Sequence, residues 1–360
     1  MESFYCKTKI IAGAGAVSAL EEFRAKRVLV VSDPFFFQNG MAEQVAHKAK
    51  AIHYEIFHQV KPDPSVELAA RGTAMVKEFG PDLMVALGGG SAMDCAKAMR
   101  FFSGLDVPLA AIPTTSGSGS EVTDFAILTH NGVKNPLVDS RLQPELAVLD
   151  SNFLKDLPAS LVADGGFDAI SHALEALVAK NAGAVTGALA TDAFCTVFAQ
   201  LPASYGGDQQ ARLAVHKAAT MAGMAFTQAG LGMCHAMSHA LGGMFHVPHG
   251  RLNAILLPAV IGCNAYTSGH IYGALSRAAG LGGSADSIGV RNLKNGLIRL
   301  RRQLGMPETL AQAGISPQNL RSGMDKVVEA TLADPCCQTN PSKVEAFMVR
   351  RCLEEVVGRG

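Results

Sequence analysis

The sequence offers no field of one sign to a charged partner: Lys plus Arg and Asp plus Glu both number 31 among 360 residues. Nucleic acid and anionic lipid are therefore not expected as partners. There is no CxxC pair. The eight cysteines are scattered apart from the adjacent Cys336 and Cys337. They are expected to be reduced thiols, with Cys95 and Cys195 as core filler. No apolar run approaches the roughly 20 residues of a membrane span. The N-terminus, MESFYCKTKI, lacks a cationic stretch followed by an apolar core, so no secretory signal is read there and a cytoplasmic location is expected. Internal repeats and low-complexity segments are also absent. What remains is the composition of a well-packed enzyme, 48% hydrophobic and 17% charged.

The chain changes texture near residue 155. Before it, short apolar runs alternate with helical spacing. Residues 1–15 read as a short strand pair, and VSALEEF as a short helix. RVLVVSD (Arg27–Asp33), HYEIFHQV, DLMVAL (Asp82–Leu87) and VPLAAIP read as strands. Met41–Ala51, Val66–Phe79 and AMDCAKAMRFF read as helices. This alternation predicts an α/β domain with a mainly parallel, Rossmann-like sheet over residues 1–156. Residues 157–360 carry helical periodicity almost throughout and are expected to form an all-α domain. Leu293, Leu297, Leu300 and Leu304 make one stripe, ended by Gly305 and Pro307, and the Arg and Lys residues around them read as a solvated face.

Two Gly-rich turns follow strands. Gly88-Gly89-Gly90-Ser91 links a strand to a helix, where unhindered backbone N–H groups and a helix N-terminus favour a phosphate. It is neither GxGxxG nor a Walker loop, and a plain tight turn is the alternative. PTTSGSGS (Pro113–Ser120) adds hydroxyls at the same sheet edge, which suits a diphosphate-bearing cofactor at a switch point; a flexible loop is the alternative. It does not fit a nucleophile elbow. Asp33 ends a strand, where a carboxylate accepts from a ribose 2′-hydroxyl and repels a 2′-phosphate, favouring NAD over NADP. A cap before Pro34 explains it equally well.

Four of the eleven histidines fall within Gly232–Gly250: His235, His239, His246 and His249. His235 and His239 share a helix face at i, i+4. Gly242, Gly243 and Pro248 are expected to break that helix and bring His249 back to face His235 from a turn. Imidazole is the commonest side-chain ligand for a transition metal. In GGFDAISHALEAL, Asp168 and His172 repeat the i, i+4 spacing on an otherwise apolar helix, with Glu175 one turn beyond. An ordinary surface acid–base pair is the bland reading of the two. Asp168, His172, His235 and His249 together would suit Fe²⁺ or Zn²⁺.

These motifs, with GVKNPLVDSRLQPELAVLD, PHGRLNAILLP and a late DPCCQTNP, extend over nearly the full length. The sequence resembles the iron-dependent (group III) alcohol dehydrogenases, in the superfamily that includes glycerol dehydrogenases and dehydroquinate synthase. Among subgroups it looks most like the short 1-propanol dehydrogenases of bacterial microcompartments. The resemblance implies that Asp168, His172, His235 and His249 bind the metal. It implies that Gly88, Gly89, Gly90, Ser91 and Asp94 form the pyrophosphate loop, and that Thr114, Thr115 and Ser118 form the second cofactor turn, with Ser118 where many relatives have Thr. Lys134 matches a lysine near the nicotinamide ribose, and His239 a non-ligand histidine beside the metal, the best candidate for relaying the proton. Phe245 and His246 are expected to line the substrate pocket. The resemblance also implies pairing of copies through N-terminal strands, as a homodimer or higher homo-oligomer.

The expected activity is hydride transfer between NAD(H) and a short-chain primary alcohol or aldehyde such as 1-propanol or propionaldehyde, with Fe²⁺ (or Zn²⁺) as Lewis acid. A glycerol or other polyol dehydrogenase on the same scaffold, a metal-dependent hydrolase or lyase, and a non-catalytic microcompartment role are the alternatives.

Overall fold

Unbroken apolar runs such as Val28–Val31 and Leu83–Leu87 have no exposed face, as strands covered on both sides of a sheet require. In the computed structural model, which describes residues 3–130 and 133–358, they lie at the centre of such a sheet. Two compact units are present, Tyr5–Leu157 and a second from Pro158 onward.

The first unit holds eight strands: β1 Lys9–Ala12, β2 Arg27–Ser32, β3 His53–Phe57, β4 Leu83–Gly88, β5 Leu109–Pro113, β6 Phe125–His130, β7 Val133–Val138 and β8 Leu146–Leu149. Six form one sheet in the order β1-β8-β5-β4-β2-β3, with every pairing parallel. Its helices are α1 Pro34–Gln38, α2 Met41–Lys48, α3 Val66–Phe79 and α4 Gly90–Ser103. Successive strand residues point to opposite faces. Val28, Val30, Val85 and Leu87 pack on one side with Val45 of α2, while Leu29, Val31, Met84 and Ala86 pack on the other with Val76 of α3 and Met99 of α4. α3 begins where Ser65 Oγ accepts from the Leu68 amide and ends at Gly80 in left-handed geometry.

Two features depart from expectation. The strand pair over residues 1–15 is a single edge strand, β1 (Met1 and Glu2 lie outside the described residues). The chain leaves it at Gly13, and the buried Asp150 carboxylate accepts from the Gly15 and Val17 amides, drawing the next segment into a 3₁₀ helix, Ala16–Phe23. The second is an antiparallel hairpin, β6–β7, which lies outside the main sheet and contains Lys134. Gly132 of the GVKNPLV motif lies outside the described residues.

The second unit consists of α5 Ala159–Val178, α6 Ala184–Tyr205, α7 Gln209–Ala229, α8 Met233–Phe245, α9 His249–Ala278, α10 Asp286–Gln303, α11 Pro317–Ala333, α12 Cys336–Thr339 and α13 Ala346–Val356. No strand occurs among its described residues. α6, 22 residues long with a mean hydropathy of 1.3, passes the length and composition test for a membrane span, which the expectation of no such run did not anticipate. It packs against α5 and α7, burying Phe194, Val197 and Leu201.

The leucine stripe of α10 is buried as expected, but Arg301 between its turns is buried too. It donates from Nη1 to the Ala254 carbonyl at 2.9 Å. That carbonyl belongs to α9 four residues before Pro258, which has no N–H to give it. Arg301 supplies the missing donor.

Candidate metal centre and cofactor turns

α5 is apolar on the faces it turns to α6, α7 and α9, yet it carries Asp168, His172 and Glu175 inward. Buried polar groups persist where partners satisfy them. The structure places these three against α8 and the start of α9. The expected helix break at Gly242 and Gly243 does not occur. α8 runs through both to Phe245 and ends at His246, which adopts left-handed geometry (φ 56°) as its C-cap. Glycine weakens a helix without stopping it, and the turn at His246–Pro248 makes the break instead. His249 is thus the first residue of α9, not part of a turn.

The four proposed ligands converge. From Asp168 Oδ1, the Nε2 atoms of His172, His235 and His249 lie at 3.9, 3.8 and 3.5 Å. These distances are too long for hydrogen bonds, which need about 2.7–3.2 Å. They are close to the edge of a tetrahedron with metal–ligand bonds of about 2.1 Å, roughly 3.4 Å. The rings of His172 and His235 stack at 4.5 Å, and His235 and His249 meet at 5.2 Å. The ligand atoms of Asp168, His235 and His249 all lie within 4.8 Å of one another; with His172 as the fourth donor, one carboxylate and three imidazoles suit a divalent iron or zinc ion.

The surrounding groups are arranged for the same purpose. Burial pushes the Asp168 carboxyl up, but the surrounding imidazoles, His172 foremost, outweigh it and hold the group well below the usual carboxylate range. Burial pushes His249 well below the ordinary histidine value, towards the neutral, ligating form. For His235 burial works the same way. The nearby carboxylates of Asp168 and Glu175 prevail, and in the absence of a metal it is raised to about 9. Metal binding displaces such a proton. Glu175 accepts from His235 Nδ1 at 2.6 Å and from the Gly232 and Cys234 amides at 3.0 and 2.7 Å. One carboxylate therefore caps α8 and aims His235 Nε2 at the centre. Asn253, fully buried, donates Nδ2 to Asp168 Oδ1 at 2.9 Å and accepts from Ser238 Oγ at 2.6 Å, which fixes the Asp168 carboxylate.

His239 stands beside the quartet, its ring stacked on His249 at 5.0 Å. Its Nδ1 lies 2.8 Å from Asp334 Oδ2. Burial raises Asp334, but the bond and charge of His239 prevail and keep it ionised. An ionised carboxylate only accepts, so His239 donates from Nδ1. Asp334 was missed in the sequence because DPCCQTNP carries no recognisable spacing to the histidines. Phe245 is half-buried facing Gly323 of α11, and His246 is exposed at the turn.

In the first unit the chain runs from β2 outward to β3, then crosses back to β4 on the other side. The switch point therefore lies between β2 and β4. Asp33 follows β2, and Gly88–Ser91 ends β4 and opens α4, so both flank the crevice where open α/β sheets bind ligands. Gly88 has φ 149°, a conformation that side chains rarely adopt. Space beside Gly89 is closed by Thr115 and beside Gly90 by Ser118, and the Thr114 amide donates to the Gly88 carbonyl at 2.9 Å, so the two turns form one surface. Asp33 Oδ1 caps α1 by accepting from the Phe35 and Phe36 amides at 2.9 and 3.2 Å, while Oδ2 is directed towards Gly88. The cap therefore occupies Oδ1 and leaves Oδ2 at the Gly88 turn. Asp94 points inward, accepting from Ser120 Oγ and the Ile127 amide, and burial raises its carboxyl. Lys134 pairs with Asp63 at 2.7 Å.

Lys97, fully buried and not anticipated, donates to Ser120 Oγ, Thr123 O, Thr123 Oγ1 and Phe125 O at 2.8–3.1 Å. It ties α4 to the segment that follows the second turn. Its place in GGGSAMDCAKA, one turn beyond Asp94, was the available signal.

The N-terminal model of the iron-containing alcohol dehydrogenases matches residues 7–151, and the C-terminal model of the same family matches residues 162–357. The chain is 36% identical to 1-propanol dehydrogenase of Citrobacter freundii, over 99% of this chain and 100% of that one. It is 34% identical to an NADPH-dependent butanol dehydrogenase of Clostridium saccharobutylicum, over 98% and 97%. Among solved structures, an iron-containing alcohol dehydrogenase from Thermococcus thioreducens aligns with a TM-score of 0.90 at 32% identity, over 98% and 99% of the two chains. The chain belongs to the iron-containing alcohol dehydrogenase family.

Proposed function

We propose that this chain transfers hydride reversibly between NAD(H) and a short-chain primary alcohol or aldehyde, such as 1-propanol and propionaldehyde. The observation that carries the reading is the convergence of His172, His235 and His249 on one oxygen of Asp168 at metal-ligand spacing. The ion we assign is Fe²⁺; Zn²⁺ fits the same donors. When bound, the metal supplies Lewis acidity towards the substrate oxygen and the nicotinamide supplies the hydride acceptor.

The chain's own residues do the rest. Glu175 and Asn253 hold His235 and Asp168 in place. His239, oriented by Asp334, presents Nε2 beside the centre and passes the alcohol proton onward. Gly88–Ser91, with Thr114, Thr115 and Ser118, cradles the pyrophosphate. Asp33 accepts from the ribose hydroxyls and disfavours a 2′-phosphate. Lys134 lies near the nicotinamide ribose, and Phe245 and His246 shape the substrate pocket. The short-alcohol assignment draws on the 1-propanol and butanol relatives. We place the enzyme in the cytoplasm, within a bacterial microcompartment, and pair copies through the edge strand β1.

The test is anaerobic reconstitution with iron, followed by absorbance at 340 nm with propionaldehyde and with dihydroxyacetone, each with NADH and NADPH. Preference for propionaldehyde and NADH is expected. Faster turnover with dihydroxyacetone would move the assignment to a polyol dehydrogenase, and no nicotinamide oxidation at all would point to hydrolase or lyase chemistry.

A further inference from the structure

Away from the metal quartet, two thiols approach each other more closely than packing requires. Cys263 of α9 and Cys352 of α13 hold their Sγ atoms 3.1 Å apart. Ordinary contacts between non-bonded heavy atoms fall at about 3.5–4.0 Å, and a disulfide needs about 2.05 Å. About 1 Å of closure therefore separates contact from bond.

The two thiols are not equivalent. Cys352 is fully buried, and Cys263 is half-buried. Cys263 is pulled down to about 7, first by its bond with Cys352, against burial, and with help from the charge of Arg351. Burial instead pushes up Cys95, Cys195, Cys234, Cys336 and Cys337. Accessibility and thiolate character thus fall on one member of the pair, with a second sulfur in place behind it.

We propose that Cys263 and Cys352 are a redox-active pair that a hydroperoxide converts into a disulfide joining α13 to α9. The Cys263 thiolate attacks the distal peroxide oxygen. The O–O bond breaks, an alcohol (water, from hydrogen peroxide) leaves with a proton, and Cys263 becomes a sulfenic acid. The Cys352 sulfur then attacks the sulfenic sulfur, the S–S bond forms, and the hydroxyl leaves as water with the Cys352 proton. In sum, two thiols and one hydroperoxide give a disulfide, an alcohol and water. The cross-link spans 89 residues of sequence. α9 begins at His249, so the staple fastens the last helix of the chain onto a helix that carries a metal ligand.

The test treats the zinc-loaded enzyme, whose metal does not consume the oxidant, with stoichiometric hydrogen peroxide, then maps peptides without reduction and records the melting temperature. A Cys263–Cys352 cross-linked peptide lacking two hydrogens is expected. The melting temperature should rise by roughly 5–10 °C, as the closure of a long loop implies, and dithiothreitol should reverse the rise. Cys352→Ser should form no such cross-link and show no rise, while Cys263 in that variant is trapped as sulfenic acid by dimedone. Addition of oxygen to Cys263 of the unsubstituted enzyme without a cross-link overturns the proposal. So does a cross-link that leaves the melting temperature unchanged.

Discussion

Gly250, the second residue of α9, stands against the main-chain carbonyl of Asp164 in α5 with no room for a side chain; a Cβ there would overlap that carbonyl. Arg251 adds two bonds to the Asp164 carboxylate, at 3.2 and 2.9 Å. The two helices meet backbone to backbone one turn before Asp168 and one residue after His249. Gly250→Ala must push α9 away, and His249 moves with it. Metal affinity is expected to fall at least about tenfold, in the range seen when ligand-orienting groups are lost. Competition with a chromogenic chelator measures it; unchanged affinity would show that the contact does not position His249.

Glu175→Gln replaces the acceptor of His235 Nδ1 with an amide that has one oxygen for four backbone and ring donors. Metal affinity should drop by about 10–100-fold, with further loss of stability from the weakened cap of α8, about 1 kcal/mol. Metal content after dialysis and the urea midpoint of the metal-free protein report the two effects separately.

His239→Ala should lower turnover by about 10²-fold or more, as the loss of a general base does, with stoichiometric metal retained. Asp334→Asn should reduce turnover less, because His239 remains but its tautomer is no longer imposed. Turnover alongside iron content decides the matter: loss of metal in His239→Ala would make His239 a ligand.

Lys97 gives a pH signature. Burial pulls it to about 8, although Asp94, Glu121 and Asp124 oppose this, against 10.5 for an ordinary lysine. Below about pH 8 the folded and unfolded chains both hold the proton. Between 8 and 10.5 the unfolded chain holds it and the folded chain does not, so stability rises with pH through this window, by on the order of 2 kcal/mol. Lys97→Met should lack that rise. Urea midpoints of both proteins at intervals from pH 7.5 to 10.5 supply the difference, and parallel curves would contradict the assignment.

Asp33→Gly should raise the efficiency with NADPH relative to NADH by about tenfold or more, since the repelling carboxylate is gone. It should also cost about 1 kcal/mol through loss of the α1 cap. A ratio of kcat/KM values that does not move would place the cofactor ribose elsewhere.

What the sequence determined by itself was local or periodic. The buried strands at Val28–Val31 and Leu83–Leu87 show as unbroken apolar runs, α3 as helical spacing between Ser65 and Gly80, and the Asp168–His172 pair on α5 as an i, i+4 repeat. Only the tertiary structure decided the rest. Gly242 and Gly243 stay helical because one or two glycines cost less than the packing of α8 returns. Asp334 reaches His239 across 95 residues, Arg301 finds the carbonyl stranded by Pro258, and Cys352 meets Cys263 across 89. None of these pairings has a spacing, because a long-range contact depends on how whole helices pack and not on the residues beside it in the chain.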